Sequence, residues 1–225
     1  MDATRRDFLG QITAGAASFG ALPLALALTS CTAEGSNQAA GEFDLSWPAK
    51  LTGKYKAVFD MADIESGYGI WRGNAWVGQY QQYMGAAATD VSLVTILRHN
   101  AISLAMNQAY WDKYGIGKAK NVIHPLNGQQ TDKNPALLST ADGIPAPFDQ
   151  AALQKQQERG VIFLACNLAF QLDCVPRVAA AEKVSEEEAR KVALGYLVPG
   201  VLLQPSGVFA AVRAQEAGCS YVKAS

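Results

Sequence analysis

Residues 161–170 read VIFLACNLAF, and this stretch decides the fold class. Its first six residues form a continuous apolar run after Gly160, which is typical of a strand buried on both faces of a parallel sheet. The following residues continue in a helical pattern, with Asn167 near its start. Cys166 is therefore predicted where a strand ends and a helix begins, either as inert packing or as the group that this junction presents.

The rest of the chain repeats the order of strand and helix. Apolar runs predict strands at residues 54–62, 91–99, 161–166, 200–205 and 219–224. Helical spacing of apolar residues predicts helices at residues 71–87, 100–115, 149–160, 185–196 and 206–218. Ser185 with Glu188 forms a capping-box pattern, and Ser206 is a predicted N-cap. The alternation predicts an α/β fold, with a parallel sheet of about five strands and helices on both faces.

Composition and common motifs exclude some classes of function. The net charge is −1, charged residues make up 17% of the chain, and no basic cluster indicates nucleic acid as a partner. The sequence has no HExxH or CxxC pattern and no Ser-His-Asp motif. These absences argue against common hydrolases and thioredoxin-like enzymes, and no cofactor is predicted.

The first residues have the composition of a targeting segment. Arg5 and Arg6 precede Phe8 and Leu9, and a weakly apolar region rich in Gly and Ala follows. This order resembles a twin-arginine export signal, predicted over residues 1–31. A single membrane anchor is the alternative, but the apolar run is short and broken by glycines for a segment that needs about 20 apolar residues.

The end of this segment resembles a bacterial lipobox. Small residues precede Cys31, which would become the lipidated first residue of the mature chain; cleavage near Ala33 is the alternative. Residues 32–52 are polar and without periodicity, and we expect a flexible tether there. The domain is expected to span residues 53–225. The protein is thus predicted to be periplasmic and held at a membrane surface by a lipid anchor.

Residues 116–148 depart from the alternation. They contain four prolines, several glycines and no sustained period. A long loop inside a compact domain is often functional or binds a partner. We therefore expect an insertion there.

Chemistry is expected where parallel strands end, because ligands gather at that edge of the sheet. The unsatisfied N–H groups and the dipole of a helix N-terminus favour the thiolate of Cys166 and make it a nucleophile. His99 ends the second predicted strand and is placed to deprotonate that sulfur or steady its anion. A strand-end histidine bonded to a backbone carbonyl is the alternative.

The sequence also resembles a known family. The segment GVIFLACNLAFQLDCVP from residue 160, and LVPGVLLQPSGVFAAVRAQEAGCSYVKA after it, are similar to the C-terminal half of the DsrE-like sulfur-relay family. The resemblance covers residues 160–223 well and residues 54–115 more loosely. It implies a flavodoxin-like sheet that assembles into homo-oligomers. It also places Cys166 at the position that carries persulfide sulfur, with His99 at the adjacent strand end.

Other clusters allow weaker hypotheses. His124 with His99 and Cys166 would suit a zinc or copper site. Asp60, with Asp63 and Glu65, is interpreted as part of a solvated turn, with a polar binding wall as the alternative. If Cys31 is lipidated, three cysteines remain, an odd number, so at least one free thiol is expected. A disulfide between Cys166 and Cys174 would need a break in the helix between them. The aromatic residues at helical spacing are either core or the lining of a pocket or oligomer interface: Trp71, Trp76, Tyr80, Tyr83 and Trp111.

Together these observations predict an exported protein that binds or relays sulfane sulfur as a persulfide on Cys166. It would act as a sulfurtransferase-like carrier whose partner is a donor or acceptor protein or a small sulfur compound. The alternative is a non-catalytic binding or assembly module with the same fold, in which residues 116–148 and the aromatic residues contact a partner.

Overall fold

A computed structural model describes residues 43–225. Five strands form one sheet: β1 (Tyr55–Met61), β2 (Val91–Leu97), β3 (Ile162–Cys166), β4 (Leu202–Gln204) and β5 (Ser220–Lys223). All neighbouring strands are parallel, in the order β4-β3-β2-β1-β5. This confirms the predicted α/β class of flavodoxin-like architecture. The strand order departs from the 2-1-3-4-5 order of flavodoxin itself.

Helices surround the sheet. They are α1 (Tyr68–Met84), α2 (Gln108–Tyr114), α3 (Ile116–Ala119), α4 (Ala146–Asp149), α5 (Leu153–Glu158), α6 (Asn167–Ala169), α7 (Val175–Glu182), α8 (Glu186–Leu194) and α9 (Gly207–Glu216). A π turn, Phe170–Cys174, joins α6 to α7. The predicted caps are confirmed, because the Ser185 hydroxyl accepts from the Glu188 N–H and the Ser206 hydroxyl accepts from the Phe209 N–H.

The connections explain why helices lie on both faces. From β1 to β4 each crossover steps in one direction, whereas the last crossover returns from β4 to β5 across the sheet. Right-handed crossovers therefore place α9 on the opposite face from the helices before it. The helices that follow β3 and β4 leave on different faces, which opens a crevice between those two strand ends.

Strands β1 to β4 contribute alternate side chains to two hydrophobic cores. Val58 and Val94 pack with Ala210 of α9 on one face, and Phe59 and Leu93 pack on the other. The second face admits α1 closely because Gly69 has no side chain: a Cβ there would lie 2.6 Å from the Met61 side chain. The continuous apolar character of β1 and β2 thus follows from burial on both faces.

The predicted tether is wrong at its C-terminal end. Residues Trp47–Lys50 form a 3₁₀ helix, and Trp47 is fully buried. The Trp47 indole N–H donates to the Gln204 side-chain oxygen at 2.9 Å, and Leu51 joins the same core as α9. An apolar indole with a buried hydrogen-bond partner fixes this part of the chain to the sheet, so the packed domain begins before residue 53.

Two other predicted elements differ. The helix predicted at residues 100–115 is a 3₁₀ helix, His99–Ala105, followed by α2, with Met106 bridging Leu197 between them. The helix predicted to begin at Asp149 is two short pieces, α4 and α5. The break before α2 has a polar cause: the Asn107 side chain accepts from the Tyr110 N–H and so starts a new helix at this point.

The insertion predicted at residues 116–148 has short pieces of structure. It contains α3, two 3₁₀ turns and an isolated bridge between Ile123 and Gln130. Asn134, fully buried, donates from its side chain to the backbone oxygens of Leu104 and Met106. This segment is therefore fastened to the domain by its own polar contacts.

The predicted export signal, the lipidation of Cys31 and most of the tether lie outside the described residues. Within residues 43–225, no helix has the length and apolar character needed to cross a membrane.

Candidate functional site

Cys166 lies at the junction that the sequence predicts. It is the last residue of β3 and the N-cap of α6. The Ala169 N–H donates to its Sγ at 3.4 Å. The side chain is 7% exposed and makes no disulfide. Each of the two interpretations of Cys166 therefore describes part of its surroundings. The residue is buried, as expected for packing, and its sulfur accepts an amide N–H at the start of a helix, as expected for a presented thiol.

The helical run after Cys166 is held in a defined position. The π turn in this run inserts an extra residue, a feature often found at functional sites. The Arg190 guanidinium donates to the Asn167 side-chain oxygen at 2.9 Å and lies over the Phe170 ring. These contacts fix the first turn, and with it the amide that points at the sulfur.

Cys166 opens onto a cavity of about 660 Å³ at the crevice between β3 and β4. Its volume falls within the range of small-molecule sites, about 300–1,000 Å³. His99 lines the same cavity, so the two predicted site residues come together at one opening. The other lining residues are Arg98, Asn100, Lys120, Leu168, Ala169, Leu172, Asp173, Ser206, Gly207 and Val208.

Strained backbone concentrates around this opening. His99 is exposed and has a φ of +48°, the left-handed region that few non-glycine residues adopt. A second cavity of about 560 Å³ shares Asn100 and Lys120 with the first and is lined by Glu65, Ser66 and Asn121. Those three residues also have positive φ. Such strain persists where surrounding structure enforces it, and it clusters at ligand sites and active sites.

Asp60 is not part of a solvated turn, and that interpretation is wrong. It is 4% exposed within β1, and its carboxylate accepts from Arg98 Nε at 2.7 Å and Nη2 at 3.0 Å. The Tyr221 hydroxyl donates to the same carboxylate at 2.6 Å. The hydrogen bond with Asp60 is the largest cause that raises the pKa of the Arg98 guanidinium. It is also the largest cause that raises the pKa of the Tyr221 hydroxyl. The carboxylate thus holds the Arg98 side chain at the wall of the cavity.

One feature explains why α9 can begin beside Arg98. Gly207 has no side chain, and a Cβ there would lie 2.7 Å from the Arg98 Cδ. On the other wall Lys120 pairs with Asp173 at 2.6 Å and donates to the Asn100 side chain at 3.3 Å. Arg98 and Lys120, the Arg and Lys residues of the cavity wall, thus each contact a carboxylate, and Lys120 shares Asp173 with Arg177.

The other two described thiols are separated from this opening. Cys174 is fully buried, and burial raises its pKa to about 12. Cys219 is buried beneath the other face, and burial raises its pKa as well. Neither forms a disulfide, so the considered Cys166–Cys174 bridge is absent and all three described cysteines are free.

The alternative metal site has no geometric support. Among residues 43–225, no group of three or more His, Cys, Asp and Glu side chains is arranged to hold a metal ion. His124 does not line the Cys166 cavity, and its Nδ1 accepts from the Leu126 N–H.

A separate apolar cavity of about 170 Å³ lies between α1 and residues 125–152. Trp71 and Phe148 line it and are 40% and 49% exposed, whereas Trp111 is fully buried core. The predicted aromatic pocket therefore involves Trp71 alone of the five aromatics considered.

Sequence reasoning missed several lining residues. Ser206 and Gly207 lie just beyond the end of β4, as Cys166 lies at the end of β3, so the rule that ligands gather at strand ends would have found them. Arg98 precedes His99 in the sequence, but its partner Asp60 is 38 residues away. No local signal pointed to Lys120.

Neither a protein-family model nor a curated protein matches the chain. The resemblance to the DsrE-like family therefore rests on the residues quoted above.

Proposed function

We propose that the protein carries sulfane sulfur as a persulfide on Cys166, as a DsrE-like sulfur-relay protein exported by the twin-arginine route and held at a membrane surface. The observation that carries this proposal is the position of the Cys166 sulfur. It lies at the crevice where the strand connections diverge, it receives an amide from the first helical turn, and it shares a cavity with His99.

The chemistry needs one nucleophilic step in each direction. The Cys166 thiolate attacks the outer sulfur of a donor persulfide or polysulfide, so a new S–S bond forms at Cys166. The donor's own S–S bond breaks, and the donor leaves as a thiolate. An acceptor thiolate then attacks the outer sulfur on Cys166 and regenerates the free thiolate. His99 at the cavity wall steadies the anionic sulfur, and the site acts as a carrier.

Intact mass tests this function directly. After treatment with aqueous polysulfide, wild-type protein is expected to gain sulfur that a reducing thiol removes. Cys166→Ala abolishes the gain, and Cys174→Ala retains it, because Cys174 is sealed in the core. A gain that survives in Cys166→Ala contradicts the proposal.

His99 is tested with a residue that tolerates its backbone. Asn adopts positive φ more readily than most residues, so His99→Asn preserves the turn while removing the imidazole. We expect the adduct to form at least roughly tenfold more slowly, in line with the contribution of a positioned imidazole. An unchanged rate removes His99 from the mechanism and leaves Cys166 in it.

The second candidate is a non-catalytic binding or assembly module, possible because the apolar cavity beside residues 125–152 is a separate opening with exposed aromatic walls. Absence of any sulfur adduct on Cys166 favours this function.

A further inference from the structure

The cavity of about 560 Å³ adjoins the Cys166 cavity, and we call it the polar cavity. Asn100 and Lys120 line both cavities, so the two meet at these side chains. Each volume lies within the range of small-molecule sites, about 300–1,000 Å³. The sulfur chemistry proposed above uses the Cys166 cavity alone and gives the charged walls of the polar cavity no role.

One part of this wall has an excess of positive charge. The Asp173 carboxylate is shared, because it lies 2.6 Å from Lys120 Nζ and 3.2 Å from Arg177 Nη2. Two cations therefore contact one carboxylate, which leaves one positive charge without a counterion. Arg177 lines the polar cavity, and its Nε is buried without a hydrogen-bond partner among residues 43–225. The pair of cations thus has capacity left for an anionic group.

Another part of the wall has an excess of negative charge. Asp63 is exposed and lines the polar cavity, and within the described part of the chain it forms no ion pair. Its carboxylate accepts from the Asn100 side-chain N–H at 3.1 Å. Glu65, the other acid of this wall, is paired with Arg72 at 2.7 Å. Asp63 is therefore the acidic group of the wall that has no cation beside it.

Asn100 lies between the two uncompensated charges. Its side-chain nitrogen donates to Asp63 at 3.1 Å, and its side-chain oxygen accepts from Lys120 at 3.3 Å. A single carboxamide group therefore separates the negative group from the positive one. The ammonium and carboxylate of an α-amino acid are likewise separated by one carbon atom. The wall is thus complementary in charge to the zwitterionic end of such a molecule.

We propose that the polar cavity binds the amino-acid end of a low-molecular-weight persulfide, with its ammonium on Asp63 and its carboxylate on Lys120 and Arg177. This inference rests on the proposed persulfide function and makes the sulfur donor an α-amino acid of the cysteine persulfide class. Because Lys120 lines both cavities, a donor held there extends its sulfur end into the Cys166 cavity.

The transfer step uses the outer sulfur of this donor. The Cys166 thiolate attacks that sulfur, and a new S–S bond forms at Cys166. The S–S bond of the donor breaks, and its electron pair leaves with the amino-acid thiolate. The charged groups of the polar cavity hold the donor during this step and do not react.

Binding is measured first, with an analogue that cannot transfer sulfur. S-methylcysteine has the same charged end and carries a methyl group in place of the outer sulfur. Isothermal titration calorimetry of the purified protein gives its affinity and those of its N-acetyl derivative, which lacks the ammonium, and its methyl ester, which lacks the carboxylate. We expect wild type to bind S-methylcysteine at least roughly tenfold more tightly than either derivative.

Two variants assign each charge of the ligand to its partner. In Asp63→Asn the preference over the N-acetyl derivative should disappear while the preference over the methyl ester remains, and in Lys120→Gln the preference over the methyl ester should fall instead. A disturbed fold would weaken all three ligands together and leave both ratios in place. Asp112→Asn is the matched control, because Asp112 is also exposed and accepts a side-chain N–H, from Gln108, but lines neither cavity.

Sulfur transfer separates this inference from the function on which it rests. Cysteine persulfide and aqueous polysulfide are compared as donors below saturation, and intact mass gives the rate of each gain. Asp63→Asn should slow the gain from cysteine persulfide at least roughly tenfold and leave the gain from polysulfide unchanged, because polysulfide has no ammonium group.

The outcomes are distinguishable. If wild type binds S-methylcysteine no better than its derivatives, or if Asp63→Asn keeps the wild-type preferences, the amino-acid donor is wrong, and transfer from polysulfide to Cys166 still supports the persulfide function. If neither donor modifies Cys166, the persulfide function fails. The calorimetric ratios then decide the amino-acid site alone: preferences that Asp63→Asn removes support it, and equal affinities overturn it.

Discussion

Cys166 and Cys174 lie eight residues apart on one helical run and belong to the same hydrophobic core, yet Cys166 also borders a cavity at the edge of the sheet. The Cys166 sulfur accepts an amide N–H and borders an open cavity. Cys174 lies in the hydrophobic core, and burial raises its pKa to about 12. The two thiols therefore differ in position and not in exposed fraction: Cys166 is at a strand end beside a cavity, whereas Cys174 is sealed among its neighbours.

The surroundings of Cys174 explain why we expect its thiol to react slowly. Tyr110 lies beside it and donates its hydroxyl to the Cys174 backbone oxygen at 3.5 Å. Burial, together with the neighbouring thiol, raises the pKa of Tyr110 as well. Both groups are thus kept neutral by removal from water.

The largest expected effect is on alkylation of the two thiols by iodoacetamide at pH 8. With its pKa raised from 9.0 to about 12, Cys174 has a thiolate fraction about 1,000-fold below that of an ordinary thiol. We expect native Cys174 to react at least roughly 1,000-fold more slowly than Cys174 in urea. The factor for Cys166 should be far smaller.

Mass spectrometry of the peptides that contain each cysteine gives both rates from one sample. Equal protection of the two thiols would remove the contrast and support the interpretation of Cys166 as packing.

A smaller effect is expected from removing the amide that reaches Cys166. Ala169→Pro deletes that N–H in the first helical turn, where proline is tolerated better than in a helix interior. The rate of polysulfide adduct formation should fall about tenfold, because the thiolate, which is the reacting form, loses one hydrogen bond that stabilises it. Ala169→Gly keeps the N–H and serves as the control. If both variants react at the wild-type rate, the amide does not activate the sulfur.

The smallest effect concerns the pH dependence of stability. A raised pKa of Cys174 means that its contribution is complete below pH 9 and is lost as the pH rises toward 12. Between pH 9 and 10 the wild type should lose about 1 kcal/mol more unfolding free energy than Cys174→Ala. Urea titrations of both proteins at each pH measure this difference. Parallel pH profiles would show that Cys174 stays protonated equally well in the unfolded chain.

The fold was predictable because its signals are local. Apolar runs at β1, β2 and β3 follow from burial on both faces of the sheet, and caps such as Ser185 and Ser206 bond within their own helices. The location of Cys166 and His99 at one edge of the sheet was also predictable. Their strands, β2 and β3, are parallel neighbours, and the carboxyl ends of parallel strands share an edge.

Other features depend on contacts that sequence spacing does not reveal. Asp60 was interpreted as solvated because acidic residues and glycines follow it, but Arg98 and Tyr221 compensate its buried charge. Trp47 was assigned to a tether because its neighbours are polar, but its partner Gln204 is 157 residues away. In both cases the deciding partner is distant in the sequence, 38 residues away for Asp60 and Arg98 and 157 residues away for Trp47 and Gln204.

The contact between Trp47 and Gln204 ties the timing of folding to the order of synthesis. The Trp47 indole reaches its partner only after β4 has emerged from the ribosome, because Gln204 is 157 residues further along the chain. Until then the indole of Trp47 has no place to bury itself, and a chain truncated before β4 would leave it facing water. The contact between Trp47 and Gln204 can therefore form only once β4 has been synthesised.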